Sequence, residues 1–375
     1  MNAADQRIVT IESIVPGGLG LARDDGRVVL TPLTAPGDTC LVSVRAGQTR
    51  AELVRILEPS PTHATPACQH FGVCGGCDFM HLTYEAQLAA KEGIIADALR
   101  RTGRFTDLPD IRMVPNPAQL GDRMRATWHV APYGGAGYYR RGTHEVIDIQ
   151  HCPIIDPALE ARRRDLHPSG EVDALSNGAD VSMRQGGRDT NQIEIDVSGF
   201  RFLASADVFF QTTRALLRPF VEHVIEVAAP SATDRVMDLY AGVGLFSIPI
   251  SVSALMVDGV EGSEAAVLLA LENARINNRP NCAFHAMPVE TWLQTCPAAD
   301  VAIVDPPRTG LGKAAIALLP KKVRSRLVYV SCDPVTFARD ARILVDAGLR
   351  IGAITGFDIF PQTHHIELIC AFVRE

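Results

Sequence analysis

The chain has 375 residues, 47% of them hydrophobic and 21% charged, and a formal net charge of −7. That length suggests two or three domains with sizeable cores, and the charge argues against a non-specific nucleic-acid binder without excluding local basic patches. No stretch approaches the roughly 20 apolar residues that span a bilayer, and the polar Met1–Thr10 lacks a signal-peptide core. The expected location is therefore the cytoplasm. In that reducing compartment the nine cysteines point to metal ligands or catalysts where they cluster, because structural disulfides are disfavoured.

Gln6 to Glu58 has the pattern of a small all-β unit. The runs Ile8–Ile14, Arg27–Leu30, Thr39–Val44 and Ala51–Glu58 alternate with turn signals at Pro16-Gly17-Gly18, Asp24-Asp25-Gly26 and Pro36-Gly37-Asp38. About five such strands suit an OB-type barrel, and equally any small β domain. Pro59 to Pro66 is a proline-rich linker. Cys68, Cys74 and Cys77 follow, with Gly72, Gly75 and Gly76 among them and Cys152 far downstream. A structural zinc site more often shows two close pairs. Three spaced cysteines with a remote fourth are closer to iron–sulfur ligation. Tyr84–Thr102 has helical spacing, with Leu88, Ile95 and Leu99 among its apolar positions and Gly103 as its stop. Ile111 to Phe202 is predicted to be β-rich, with strands at Ala126–Pro132, Val146–Ile149 and Gln192–Val197.

After Asp207 the texture changes. Helices and short apolar strands are predicted in alternation at Thr212–Ala228, Arg235–Leu239, Leu255–Val260, Glu264–Asn277, Val301–Val304, Leu327–Ser331, Thr336–Ala347 and Glu367–Val373. Alternation of this kind marks a doubly wound α/β domain with a mostly parallel sheet. Within it, Val236–Phe246 is a strand, a glycine turn (Gly242, Gly244) and a helix start. The next strand ends in Glu261, placed to hold a ribose diol. A dinucleotide site would have a third glycine where this chain has Ser247. Asp238 ahead of the glycines suits the cationic amino-acid end of S-adenosyl-L-methionine better. Asp238 and Glu261 as plain helix caps is the bland alternative.

Three polar segments follow predicted strands: Asp305-Pro306-Pro307-Arg308-Thr309-Gly310, Ser331-Cys332-Asp333-Pro334 and His364-His365-Ile366-Glu367. Ligands in open α/β sheets bind at the carboxyl ends of strands. Taken alone, Cys332 is as readily a buried packing residue as a nucleophile. Its neighbours favour chemistry. Carbon 5 of a pyrimidine becomes nucleophilic once a thiolate adds at C6, and a base must then remove the C5 proton. Cys332, Glu367 and Asp305 supply a nucleophile, a base and a holder for the base edge.

Together with Phe209-Phe210-Gln211-Thr212-Thr213, Asp238–Gly244, Asp305–Gly310, Ser331–Asp340 and His365-Ile366-Glu367, the catalytic half resembles the RNA uracil-5-methyltransferase family. The resemblance implies Cys332 as nucleophile and Glu367 as base, with Gln211, Tyr240, Glu261 and Asp305 lining the cofactor and base pocket. Asp333 and Thr213 stand where that family usually has asparagine. An ionised Asp333 would raise the thiol pKa. The iron–sulfur branch of the family carries the same cysteine pattern, which implies a [4Fe-4S] cluster on Cys68, Cys74, Cys77 and Cys152, with zinc as the alternative.

The expected architecture is an OB-like TRAM domain over 1–60, a β-rich central domain with the cluster over 61–204, and a Rossmann-like methyltransferase domain over 205–375. Helix 84–103 is expected to pack on the last. The resemblance implies a monomer that acts on RNA, 23S rRNA ahead of the tRNA T-loop. Candidate RNA contacts are Arg100-Arg101 with Arg104, Arg123 with Arg125, Tyr138-Tyr139 beside Arg140-Arg141, and Lys321-Lys322 with Arg324 and Arg326, each of which could equally be a solvated face. Cytosine-5 methylation of RNA and a non-catalytic RNA-binding role are the rival readings.

Overall fold

The computed structural model describes residues 5–132, 135–166, 169–186 and 191–374. The first four residues of the polar Met1–Thr10 stretch lie outside them. Six strands build the N-terminal unit: β1 (Asp5–Thr10), β2 (Ser13–Val15), β3 (Leu19–Asp24), β4 (Arg27–Pro32), β5 (Thr39–Val44) and β6 (Ala51–Glu58). They form two three-stranded sheets, β1-β5-β6 and β2-β3-β4. Alternation along each strand turns Val9, Ile11, Ala22, Val29, Cys40 and Val42 into one shared core. The run expected over Ile8–Ile14 is broken at Ile11, whose N–H donates to the Asp38 carbonyl at 2.9 Å. Gly18, with φ +71°, has no room for a side chain. A Cβ there would lie 2.8 Å from the Asp78 carboxylate and 3.2 Å from Cβ of His364. The unit thereby rests directly on the segment leading to Glu367.

The middle of the chain holds α1 (Tyr84–Arg101), β7 (Ile111–Val114), β8 (Arg125–Val130), β9 (Ala136–Tyr139), β10 (Val146–Asp148), α2 (Pro157–Arg163), β11 (Gly170–Ser176) and β12 (Val181–Gln185). Five of these strands form an antiparallel sheet ordered β10-β9-β8-β11-β12. Strands β9, β11 and β12 escape sequence reading because glycine, acids or other polar residues leave each with at most one β-branched residue. Thr83 caps α1 by accepting the Ala86 N–H.

The last part comprises β13 (Ile193–Val197), β14 (Phe200–Ala204), α3 (Leu217–Ala228), β15 (Arg235–Leu239), α4 (Ser247–Ile250), β16 (Met256–Glu261), α5 (Glu264–Ile276), β17 (Cys282–Ala286), α6 (Val289–Thr295), β18 (Ala299–Val304), α7 (Lys313–Lys322), β19 (Val323–Ser331), α8 (Pro334–Asp346), β20 (Leu349–Phe357) and β21 (Glu367–Arg374). Eight strands share one sheet in the order β17-β16-β15-β18-β19-β21-β20-β7. The first five are parallel, and β21 runs against β19 and β20. Helices cover both faces, so the central strands are near-continuous apolar runs.

Three features differ from the sequence expectation. Helix α3 begins at Leu217, not Thr212, because the Asp122 carboxylate accepts from the Thr213 hydroxyl and from the Arg214 and Ala215 amides, holding 212–216 as a turn. Strand β7 leaves the middle region and pairs in parallel with β20 at the edge of the catalytic sheet. The β13–β14 hairpin buries Ile193, Ile195 and Phe202 in the same core as Phe220 of α3 and Leu269 of α5. A boundary drawn at residue 204 therefore cuts between packing partners.

Helix α1 packs against α8 and carries a fully buried cation, Lys91. Its ammonium pairs with Asp358 and donates to the Phe360 carbonyl at 3.0 Å. Asp358 also accepts from the Tyr84 hydroxyl at 2.7 Å, and Gln87 of the same helix bonds Gln362 at 3.0 Å. This polar seam fixes the 358–364 loop to α1. Breaking a buried pair strands one charge in a dry interior at a cost of about 3–5 kcal/mol. Lys91→Ala is expected to lower unfolding free energy by that amount in urea titrations, and a loss below about 1 kcal/mol would show that water reaches Asp358.

Candidate active site

The strand ends bring the polar segments together. Register aligns Leu239 with Val260 and Val304, Val304 with Tyr329, and Ser331 with Leu368. Tyr240, Glu261, Asp305 and Cys332 therefore emerge along one edge of the sheet. Glu367 opens β21, which runs the other way, so it reaches the same edge opposite Cys332. A cleft of about 550 Å³ lies over them, lined also by Gln211 and Gly242. Phe209, 60% exposed, and Phe360 present ring surface at this cleft. A second, smaller cavity of about 140 Å³ reaches Cys332 from the side of Pro16-Gly17 and His364-His365. Cys332 and Arg308 are common to both.

Asp238 and Gly244 do not line the cleft. Asp238 is completely buried, with its Oδ2 accepting from the Ser247 hydroxyl at 2.5 Å and its Oδ1 without a partner. Burial pushes its carboxyl up to about 6. Gly244 has φ +85°, and a Cβ on it would meet the Phe284 ring at 3.0 Å, so this glycine serves close packing of the turn. Glu261 ties the turn together by accepting from the Gly242 amide at 3.1 Å and the Ser263 amide at 2.8 Å. Tyr240 sits at φ +65°, a strained conformation for a tyrosine, at the point where strand becomes turn.

Helix α8 holds the Asp305 loop. The Thr336 hydroxyl donates to the Arg308 carbonyl at 3.1 Å, and Arg339 donates to the Thr309 carbonyl at 3.0 Å. Asp340 accepts from the Leu311 amide at 2.8 Å and from the Tyr329 hydroxyl at 2.7 Å. Asp333 is the N-cap of α8, and its Oδ1 accepts the Thr336 amide at 2.7 Å. An asparagine oxygen could do the same, which explains why the substitution is compatible with the fold. Thr213 likewise serves structure: it is buried on Asp122 and Asn116, away from the cleft.

The chemistry is concentrated in three groups. Burial, then the neighbouring Glu367 and Asp305, push the Cys332 thiol up to about 11. Arg308 opposes this, and Asp333 contributes least. Burial and then Asp305 hold the Glu367 carboxyl well above its ordinary range, against Arg308. Burial and then Asp238 raise Asp305 to about 7. At neutral pH the pocket is therefore a store of protons on a thiol and a carboxylic acid. Burial also lowers His365 to about 4, so its imidazole is neutral.

The four cysteines of the middle region line one cavity with Phe71, Met80 and Tyr138. None is in a disulfide. Among the described residues no set of three or more His, Cys, Asp or Glu side chains converges on a point as metal ligands do. Burial pushes Cys77 up to about 12 and raises Cys74 and Cys152.

Most basic clusters singled out in the sequence have partners within the protein, some of them in exposed ion pairs. Arg125 donates to the Val208 and Ala206 carbonyls at 2.7 and 2.8 Å. Arg141 donates to the Cys77 carbonyl, and Arg140 pairs with Glu145 at 2.6 Å. Lys322 caps the Cys296 carbonyl at 2.6 Å, Arg324 pairs with Asp300 at 3.2 Å, and Arg326 reaches the Val227 carbonyl at 3.0 Å. Tyr138 faces the cysteine cavity, and Tyr139 stacks on His129 at 3.7 Å. Arg100 and Arg104 are exposed. The ring surfaces of Phe209 and Phe360 were not foreseen as cleft walls. The exposed first phenylalanine of a Phe-Phe pair, beside the buried Phe210, was the available signal for one of them.

The raised acids set a pH dependence. A carboxyl with a folded value above its unfolded one stabilises the fold below the unfolded value, and that contribution is lost as pH rises through the folded value. For Asp305 the window runs from 3.8 to about 7. Asp305→Asn cannot ionise, so its melting temperature is expected to gain on wild type as pH rises from 3.8 to about 7. A pH-independent difference in calorimetry would show that Asp305 is ordinary.

A family model described as tRNA (Uracil-5-)-methyltransferase matches residues 187–374. The 23S rRNA (uracil(1939)-C(5))-methyltransferase RlmD of Azoarcus sp. (strain BH72) is 32% identical, with 97% of this chain and 99% of that one covered. An RNA methyltransferase of Aquifex aeolicus is 28% identical over 96% of this chain and 97% of its own. The solved Pyrococcus abyssi tRNA (uracil-54, C5)-methyltransferase, in complex with S-adenosyl-L-homocysteine, superimposes with a TM-score of 0.75 at 22% identity over 98% of this chain and all of its own. It shares the fold, including a β-rich N-terminal part. The chain belongs to the RNA uracil-5-methyltransferase family.

Proposed function

We propose that this enzyme transfers a methyl group from S-adenosyl-L-methionine to C5 of a uridine in 23S rRNA, through a covalent bond between Cys332 and uracil C6. The observation that carries the reading is the Cys332–Glu367–Asp305 corner at the head of the cleft. The co-substrate supplies an electrophilic methyl group on a sulfonium ion. Gln211, Tyr240, Gly242 and Glu261 would hold it, with the Glu261 carboxylate facing hydroxyl groups. Asp238 acts beneath this site by fixing the turn through Ser247.

The sequence of events follows from the groups present. Cys332 Sγ, as thiolate, forms a bond to C6 while the C5–C6 π electrons move toward O4. C5 then carries the electron pair that takes the methyl group, and the S–CH3 bond breaks with its electrons left on sulfur, so S-adenosyl-L-homocysteine departs. Glu367, as carboxylate, removes the C5 proton, the C5–C6 double bond reforms and Sγ leaves. Asp305 is placed to hydrogen-bond the uracil edge. Arg308 and a positively charged co-substrate in the same cleft both favour the thiolate. The target uridine must leave its stack to reach Cys332.

The rRNA substrate is proposed because the relative with 32% identity along its whole length is named for 23S rRNA. The N-terminal strands are proposed as an OB-like TRAM domain that follows the RNA strand, its Pro16-Gly17 turn lying beside the smaller cavity. A [4Fe-4S] cluster is proposed on Cys68, Cys74, Cys77 and Cys152. Four thiols outside any disulfide line one cavity, and thiolates are the donor set such a cluster takes. The Tyr138 hydroxyl and Arg141 Nε are buried without partners in the same region, and both can donate toward sulfur.

Wild type is expected to form a denaturation-resistant complex with 23S rRNA fragments carrying 5-fluorouridine, and Cys332→Ala to form none and to lose methylation. Trapping by the alanine variant would sink the covalent scheme. Anaerobic protein is expected to contain about four irons and four acid-labile sulfides per chain, with absorbance near 400 nm. Stoichiometric zinc would overturn the cluster.

A further inference from the structure

Arg123 stands where the two halves of the molecule meet. It follows Asp122 and precedes β8, and its backbone is pinned on both sides. Its N–H donates to the Ile154 carbonyl at 3.1 Å, its carbonyl accepts from Asp156 at 2.9 Å, and it bridges Thr213. Ile154 lies two residues past Cys152. Its guanidinium lines the four-cysteine cavity. The same guanidinium lies 5.8 Å from the centroid of Phe360. Phe360 in turn lines the cleft with Cys332 and Glu367. The side chain has no hydrogen bond or ion pair among the described residues. Every other arginine near the cavity is spoken for: Arg141 by the Cys77 carbonyl, Arg163 by Glu160.

An arginine left unpaired between a cavity lined by four thiols and an aromatic ring has two natural uses. Its charge can balance anionic sulfur in the cavity that it lines with the four cysteines. Its flat face can hold a ring in place, which a lysine does less well. The Phe360 backbone is held at its carbonyl by Lys91 and the Thr363 hydroxyl, and its ring meets His365 edge-on at 5.8 Å and packs on the core below the cleft, so Arg123 is the cation among its ring contacts.

We propose that Arg123 is a positioning residue that couples the four-cysteine cavity to the catalytic cleft, its charge held by the thiolate-bound group on one side and its planar face setting the Phe360 ring on the other. The proposal rests on the cluster reading above. It assigns the cavity a mechanical consequence for RNA binding that needs no electron transfer. When the group is present, Arg123 is drawn to it and Phe360 stands at one angle. When the group is lost, the guanidinium is released and the cleft wall loosens.

The test uses the full anaerobic protein and two variants. Arg123→Gln removes the charge and the cation–π contact, whereas Arg123→Lys keeps the charge and loses the planar face. Iron and sulfide content is measured first, since zinc or no metal in wild type overturns the cluster reading itself before any variant is considered. With the cluster intact, Arg123→Gln is expected to lower its reduction potential, because the more negative reduced state loses a compensating cation. Its KM for an rRNA fragment should rise about two- to thirty-fold, the factor that corresponds to a cation–π contact, while kcat changes less. Arg123→Lys should keep a potential near wild type and still raise KM. An unchanged potential in Arg123→Gln, or an unchanged KM in both variants, overturns the coupling while leaving the cluster standing.

Discussion

Two carboxyls and a thiol in one water-poor corner cannot all be ionised together. That electrostatic constraint governs the active end of this molecule. Strand register brings Cys332 opposite Glu367, and the loop after β18 adds Asp305. Asp305 raises Glu367, and both raise Cys332, so the corner holds protons whose release a cation in the cleft would favour. Much of the surrounding structure serves to keep the three groups close despite this repulsion. Helix α8 anchors the Asp305 loop by three side chains, and α1 fastens the segment before Glu367 through a buried ion pair.

The catalytic half was legible because its chemistry and its topology coincide. Apolar runs of four or five residues, each ending in a polar motif, carry both the strand and the catalytic group, so reading one yields the other. Gln211, Tyr240, Gly242, Glu261, Asp305, Cys332 and Glu367 accordingly meet at one cleft. Asp238 was legible as important but not as buried: nothing in its spacing distinguishes a carboxylate facing a ligand from one facing Ser247. Asp333 looked troublesome from its position beside the thiol. Its carboxylate is engaged by the Thr336 amide, a hydrogen bond that sequence distance alone suggests only to a reader already certain where α8 starts.

The middle region was less legible, for a different reason. Charge clusters there looked like an RNA surface, yet Arg125 donates to the Ala206 and Val208 carbonyls and Arg141 to the Cys77 carbonyl. A loop-rich segment has many carbonyls without strand partners, and guanidinium groups satisfy several at once. Sequence gives the charge of an arginine but not the acceptor it meets. The same holds for Tyr138, whose neighbour Tyr139 stacks on a histidine while it turns toward sulfur.

Strand β7 adds a consequence of a different kind. Ile111 pairs with Ile354, so the outermost strand of the catalytic sheet is made from chain synthesised long before the strand it joins. The sheet has no finished edge until the last quarter of the polypeptide exists. An excised C-terminal half would expose the β20 edge to other chains, an invitation to aggregation. The closure of that edge is also a contact of very high sequence separation, which places it among the slow steps of folding.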